Sequence, residues 1–286
     1  MLNTYRTNDM NKVLIFGGAR TGTTTLSHCL RHTGYAHNKN EVSIAIDEPL
    51  NYPVRTPRLY KESGLDIVKC FEEAKLLHKF VVATGGECAG RKIVSKLTAG
   101  QLYRVLDNIY KKYDCIKHIH DSIFEMNNKL LFDYATDNKI KILLLARKDL
   151  FSVCLSKLMS KQSTVWHTLT DEQRKKVDKA KYEPISIRDL KLMYRRFSKD
   201  SNTYSNYLAS KDIDYFEVIY EDFLHPDNDM DSRVEKFKDI LSYIDWDYIE
   251  TKEILDALSP KTKQYTQEHY DKIPNIKEIY EWRDSL

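Results

Sequence analysis

Lys12-Val13-Leu14-Ile15-Phe16-Gly17-Gly18-Ala19-Arg20-Thr21-Gly22-Thr23-Thr24-Thr25-Leu26 is the stretch whose reading decides the fold. Its short apolar run with β-branched residues suits a buried strand. Glycines at 17, 18 and 22 break that run. Apolar residues then return at Leu26 and Leu30, one helical turn apart, before an apparent stop at Gly34. Strand, glycine turn and helix in that order make a βα unit.

The pattern repeats outward from there. Helical spacing marks Asp66 to Lys79, with Ile67, Cys70, Phe71, Ala74 and Leu77 on one face, and a short strand is expected over Phe80 to Ala83 before the irregular connection at Gly85, Gly86 and Gly90. Leu102, Val105, Leu106 and Ile109 give a helix over Leu97 to Tyr110. A weak strand at Asp114 to His118 precedes a helix near Phe124 to Thr136. Lys141 to Ala146 is the clearest buried strand and runs into a helix from Asp149 to Ser160. After a polar, lysine-rich stretch from Thr170 to Lys181 come a helix near Ile187 to Ala209 with Pro184 just ahead, a strand over Asp214 to Tyr220, and helices at Val234 to Ile244 and Ile249 to Leu258. Strands alternating with helices imply βαβ units and a parallel sheet, whose ligands sit at the carboxyl ends of the strands.

Composition narrows the classes. With 286 residues, 42% hydrophobic and 30% charged, the chain can build a full core, and it is expected as one domain over 1–286 with a flexible lead-in at 1–11. The net charge of only +3 gives no global signature of a nucleic-acid or membrane partner, so any anion site must be local. The polar N-terminus lacks a signal-peptide core, and no apolar run approaches the roughly 18 residues of a membrane span. Cys29, Cys70, Cys88, Cys115 and Cys154 are scattered without a C-x-x-C pair, which favours reduced thiols and a cytoplasmic location. His28 and His32 stand at i, i+4, but Cys29 occupies the position of the glutamate that a zinc protease helix needs, so no metal is expected.

Gly17-x-x-x-x-Gly22-Thr23-Thr24 has the skeleton of the phosphate loop G-x-x-x-x-G-K-[ST], with Thr23 in place of the lysine. Backbone N–H groups at a helix start and the hydroxyls of Thr23, Thr24 and Thr25 still make an anion cradle. Without the lysine that reaches the β- and γ-phosphates, ATP or GTP hydrolysis is disfavoured. Arg20 leaves a basic side chain inside the loop. The expected architecture is a three-layer, P-loop-like α/β fold with a central parallel sheet flanked by helices.

This loop resembles the 5′-phosphosulfate loop of sulfotransferases that use 3′-phosphoadenosine 5′-phosphosulfate (PAPS), P-[RK]-[ST]-G-[ST]-[TS]. Ala19-Arg20-Thr21-Gly22-Thr23-Thr24-Thr25 matches all but the proline, replaced by Ala19. Arg147-Lys148-Asp149 at the end of the best strand and Ser156 on the next helix resemble the family's 3′-phosphate site, in which the arginine supplies a bidentate fork. The spacing is one residue longer than R-x-P-x-D-x-x-x-S and is similar to the form in bacterial carbohydrate, trehalose-type sulfotransferases; Gln162 and Trp166 continue that likeness. Val218 to Phe223 is similar to the family's Y-E-D-L stretch and reads as structural. The resemblance implies PAPS as sulfuryl donor and a hydroxyl-bearing small molecule or glycan as acceptor, with no metal. A kinase with a degenerate phosphate loop and a non-catalytic nucleotide-binding module are the alternatives.

Sulfuryl transfer to an alcohol needs a base and a neutralised leaving phosphate. Arg20 and the loop amides suit the phosphate. Glu48, in Ile46-Asp47-Glu48-Pro49-Leu50, resembles the catalytic glutamate of the bacterial carbohydrate enzymes, and Asp47 beside it reads as a surface charge. The rival base is His118 or His120 in Lys117-His118-Ile119-His120, where strand alternation sends Lys117 to one face and both histidines to the other. Lys117 is then a candidate contact to the sulfuryl group or the acceptor.

Overall fold

Val13–Gly17 forms strand β1, every residue of which is buried. In the computed structural model, which describes residues 10–37, 45–50, 57–65, 97–120, 125–166, 170–225, 227–259 and 265–286, β1 is the centre of a five-stranded, all-parallel sheet. The fold is α/β. In chain order come β1, α1 (Thr23–His37), β2 (Ala45–Asp47), α2 (Pro57–Glu62), α3 (Ala99–Tyr110), β3 (Cys115–Ile119), α4 (Glu125–Asp137), β4 (Lys141–Ala146), α5 (Leu150–Ser163), α6 (Asp171–Asp178) and α7 (Ile187–Ser210). There follow β5 (Phe216–Ile219), the one-turn α8 (Tyr220–Phe223), α9 (Met230–Tyr243), α10 (Lys252–Leu258), α11 (Gln267–Tyr270) and α12 (Ile276–Arg283). The expected helix at 66–79, the strand at 80–83 and the glycines at 85, 86 and 90 lie outside the described residues.

The sheet order is β2-β3-β1-β4-β5. β1 pairs on one side with β3, Gly17 opposite Ile119, and on the other with β4, Gly17 opposite Leu145. The three central strands therefore end together, which is why the first turn, the Lys117 segment and the Arg147 turn share one rim. Alternation along the strands sorts their residues onto two faces. Leu14, Phe16, Ile116, Ile142 and Leu144 pack under α3, α4 and the end of α7, with Leu106, Phe132 and Leu208 among the partners. Val13, Ile15, Cys115, Leu143, Leu145 and Val218 pack under α1, α9 and α10, against Leu26, Phe237 and Ile254. Each fully buried Leu, Ile or Phe contributes about 1.5–3 kcal/mol, so both faces are strongly fixed.

A third apolar cluster lies off the sheet, where α5, α6, the start of α7, α11 and α12 meet around Leu155, Met159, Phe197, Tyr265 and Ile279. Three sequence readings change here. Gly34 does not stop α1, which runs on to His37; Gly34 is buried within it. The polar stretch from Thr170 contains α6, started by a capping box in which Thr170 and Gln173 exchange bonds, although Val177 is the one residue that it buries. Tyr220 opens α8 instead of ending β5. At the chain's start, Asn11 donates to the carbonyl of Ile244 and accepts from Trp246 Nε1.

Candidate functional site

Between β1 and α1 the chain must turn sharply, and three features close the turn. Thr21 Oγ1 donates to the Gly18 carbonyl at 2.8 Å, Gly22 takes φ 90°, and Arg20 takes φ 73°. The left-handed region costs a non-glycine residue roughly 1–2 kcal/mol, so Arg20 stays there only because its neighbours hold it. They do so at both ends. Arg147 Nη1 donates to the Arg20 carbonyl at 3.0 Å; the Arg20 side chain donates from Nε to Ser156 Oγ at 3.0 Å and from Nη1 to the Trp166 carbonyl at 2.5 Å. The loop presents the amides of the first α1 turn, with the hydroxyls of Thr23 buried and those of Thr24 and Thr25 partly exposed.

Arg20, Arg147 and Ser156 thus form one cluster. The sequence pairs Ser156 with Arg147; in the structure its hydroxyl accepts from Arg20, and Arg147 reaches the backbone of the same loop. The guanidinium of Arg147 lies over the Tyr220 ring, 4.1 Å from its centroid. That of Arg20 lies 6.0 Å from the Tyr265 ring. Burial lowers the Arg20 pKa, and the nearby charge of Arg147 lowers it further. Two guanidiniums held together against their mutual repulsion, beside a helix N-terminus, are a ready anion site.

On the face of β3 that points toward α1, Lys117 is buried, with 3% of its side chain exposed. Its Nζ donates to Thr24 Oγ1 at 3.1 Å and pairs with Glu48 Oε1 at 3.1 Å and Asp47 Oδ1 at 3.8 Å. Glu48 reaches this lysine because its N–H adds one bond to the β2–β3 ladder, donating to the Lys117 carbonyl at 2.8 Å, and because its own φ is 55°. Asp47 is partly exposed, with 34% of its side chain accessible, and is paired. It accepts from Ser27 Oγ at 2.7 Å and pairs with Arg31 at 3.6 Å; burial pushes its pKa up, but Lys117, the Ser27 bond and Arg31 together hold it below the usual aspartate value. Glu48, Lys117 and Thr24 make a continuous chain from β2 to the phosphate loop.

His118 and His120 fall on the opposite face, as alternation requires. Both rings lie 5.4 Å from that of Phe16. His118 Nε2 bonds Asn128 Oδ1 at 2.8 Å, deep under α4. Asn128 Nδ2 in turn donates to the His120 carbonyl and to Tyr204 Oη. His120 comes nearer the loop, since a Cβ on Gly18 would lie 3.3 Å from its Nε2. The sheet separates His118 from the Lys117–Glu48 pair, whereas His120, one residue past the end of β3, lines a cavity with Gly18, Thr21 and Arg147.

The sequence reading missed the C-terminal tyrosines. Tyr265, buried, is fixed by Ser163 Oγ at 3.0 Å and by Ser160 Oγ at 3.3 Å, and it flanks Arg20. Burial pushes the pKa of Tyr270 up to about 12, against the opposing pull of Arg147 and Arg20. Nothing in the local pattern of residues 265–270 marks them; their place follows from the third cluster. Among the described residues, no group of three or more His, Cys, Asp or Glu is arranged to hold a metal ion, and no helix is long and apolar enough to cross a membrane. Cys29, Cys115 and Cys154 are buried free thiols.

A search of curated proteins finds no match for this chain. A family model described as Stf0 sulphotransferase matches residues 104–271, from within α3 through the end of α11. That stretch holds Lys117, the Arg147 turn, Ser156, α8 and Tyr265. With more than half of its length matched, the chain belongs to the Stf0 sulphotransferase family.

Proposed function

We propose that this sulfotransferase takes its sulfuryl group from PAPS and passes it to a hydroxyl of a carbohydrate, directly and in line, in the cytoplasm. The observation that carries the reading is the convergence of Arg20, Arg147 and Ser156 on a phosphate loop that lacks its lysine. The donor set fits the group: loop amides and threonine hydroxyls for the 5′ end, Arg147 with Ser156 for the 3′-phosphate. When bound, PAPS supplies an activated sulfuryl group and a leaving phosphate.

The chain's own residues do the rest. Glu48 accepts the proton of the acceptor hydroxyl as its oxygen bonds to sulfur and the bond from sulfur to the 5′-phosphate breaks. Lys117, held between Glu48 and Thr24, brings a buried positive charge to the edge of the loop, where negative charge grows on the leaving oxygen. Lys117 also orients Glu48, so the base and the cation act as a unit. Glu48 is favoured over His120 by its pairing with Lys117, which reaches Thr24 of the loop. The carbohydrate acceptor is supported by the long Arg147-to-Ser156 spacing together with Glu48.

Calorimetry tests the donor. Adenosine 3′,5′-bisphosphate should bind without magnesium, and more tightly than Mg–ATP; tight Mg–ATP binding with none of the bisphosphate would favour the kinase alternative. Transfer of radiolabelled sulfate from PAPS to a panel of oligosaccharides tests the acceptor. Nucleotide binding with no transfer to any member would leave the non-catalytic module as the better reading.

A further inference from the structure

The turn Tyr220-Glu221-Asp222 sits above β5 just as Arg147-Lys148-Asp149 sits above β4, and the two turns are joined contact by contact. Glu221 Oε2 accepts from the N–H of Lys148 at 2.9 Å, and Oε1 accepts from the N–H of Asp149 at 3.1 Å while lying 3.4 Å from Arg147 Nε. The Tyr220 ring carries the Arg147 guanidinium, and Lys148 Nζ pairs with Asp222 Oδ1 at 2.9 Å. Asn228 Nδ2 donates to the Glu221 carbonyl, which fixes the turn from behind. The Lys148–Asp222 pair is exposed on both sides and worth little. Glu221 is different, with its side chain 19% exposed and both oxygens engaged.

We propose that Glu221 is a positioning residue for the 3′-phosphate subsite: it fixes the turn that carries Arg147 through the two amides and sets its charge 3.4 Å from Nε, an ion-pair contact without a hydrogen bond, so that the guanidinium presents its Nη edge toward the loop. The proposal rests on the donor reading above. A free arginine on a strand end samples many rotamers, and ordering its fork when a ligand arrives costs affinity; a carboxylate that has already ordered it removes that cost. Because Glu221 also neutralises part of the Arg147 charge, it disfavours casual anions and leaves the advantage to a phosphate that meets the fork in the right geometry.

The test is a double-mutant cycle read by calorimetry, with adenosine 3′,5′-bisphosphate and adenosine 5′-phosphate as ligands, on wild type, Glu221→Ala, Arg147→Ala and the double variant. Wild type should prefer the bisphosphate. Glu221→Ala should weaken the bisphosphate by about tenfold or more and leave the monophosphate nearly unchanged, as loss of a charge-assisted contact implies. The effect should vanish in the Arg147→Ala background. Glu221→Gln keeps an acceptor for one of the two amides and should recover part of the preference; it carries the cycle if the alanine variant does not fold. Equal weakening of both nucleotides, or full additivity with Arg147→Ala, overturns the positioning role while wild-type preference stands. No preference in the wild type overturns the donor reading itself, and the proposal with it.

Discussion

Replacing Gly22 with alanine probes the phosphate loop without touching a charged group. At φ 90° an alanine backbone is strained by roughly 1–2 kcal/mol. A Cβ there would meet Leu224 Cδ1 at 2.8 Å and Tyr220 Cδ2 at 3.1 Å, both closer than van der Waals contact. Leu224 is part of the core beneath α9 and Tyr220 supports Arg147, so neither gives way freely; overpacking of this kind adds about 1–3 kcal/mol. The sum, about 2–5 kcal/mol, should lower the melting temperature by roughly 5–15 °C for a chain of this size. Gly64 supplies the control. Its φ is 77°, yet a Cβ there would meet nothing within 4 Å, so Gly64→Ala should show the strain alone, roughly 1–2 kcal/mol. Thermal unfolding of both variants, paired with calorimetry of adenosine 3′,5′-bisphosphate, separates the effects: Gly22→Ala should lose nucleotide affinity through the displaced Tyr220, and Gly64→Ala should not. If the two variants unfold within about 0.5 kcal/mol of each other and bind alike, the close packing of this turn on α8 is refuted.

Glu48→Gln should reduce sulfuryl transfer by about 10²–10⁴-fold while leaving bisphosphate binding intact, whereas His120→Ala should retain turnover; the reverse pattern in steady-state assays would make His120 the base. Asp47 has a folded pKa below its unfolded value of about 3.9, so its share of stability is present above that value and fades as pH falls through the lower, folded one. Urea unfolding of Asp47→Asn should therefore differ most from wild type at pH 7, with the gap narrowing as the pH falls below the unfolded value, and a gap that widens in acid would contradict the pairing with Lys117. Buried Arg233 donates to the carbonyls of Leu258, His225 and Asn228, so Arg233→Leu, which leaves all three without that donor, should cost about 3–5 kcal/mol in urea unfolding. A loss under about 1 kcal/mol would mean water replaces the guanidinium.

How far the sequence could be read depended on whether a residue's signal was local. β1 and β4 stood out because a strand buried on both faces must be apolar along its length, and β3 was weaker because Lys117 and His118 interrupt it. β2 left no pattern in its three residues, Ala45–Asp47, and Glu48 was picked out by resemblance alone. The proximity of Arg20, Arg147 and Ser156 could be read because each sits at a strand end or one helix beyond it. Their bonding could not, since Ser156 could serve either guanidinium until the Arg20 rotamer was known. The pairing of Asp47 was not legible because its partners, Ser27, Arg31 and Lys117, come from two other elements. Tyr265 was missed because only the packing of α11 against α5 and α6 carries it to the loop.

That last contact bears on how the protein comes to be active. Arg20 is made well before Tyr265, yet the guanidinium of the first borders the ring of the second. Contacts so distant along the chain form late, because the intervening segment must be ordered before they close. A nascent chain that has laid down β1, β3 and β4 still lacks α9 and α10, which cover one face of the sheet, and the surroundings of Arg20 are complete only once the segment from 265 onward has docked. Synthesis and completion of the loop's surroundings are thereby ordered in time, and a polypeptide that stops short of Tyr265 would carry the loop without its finished wall.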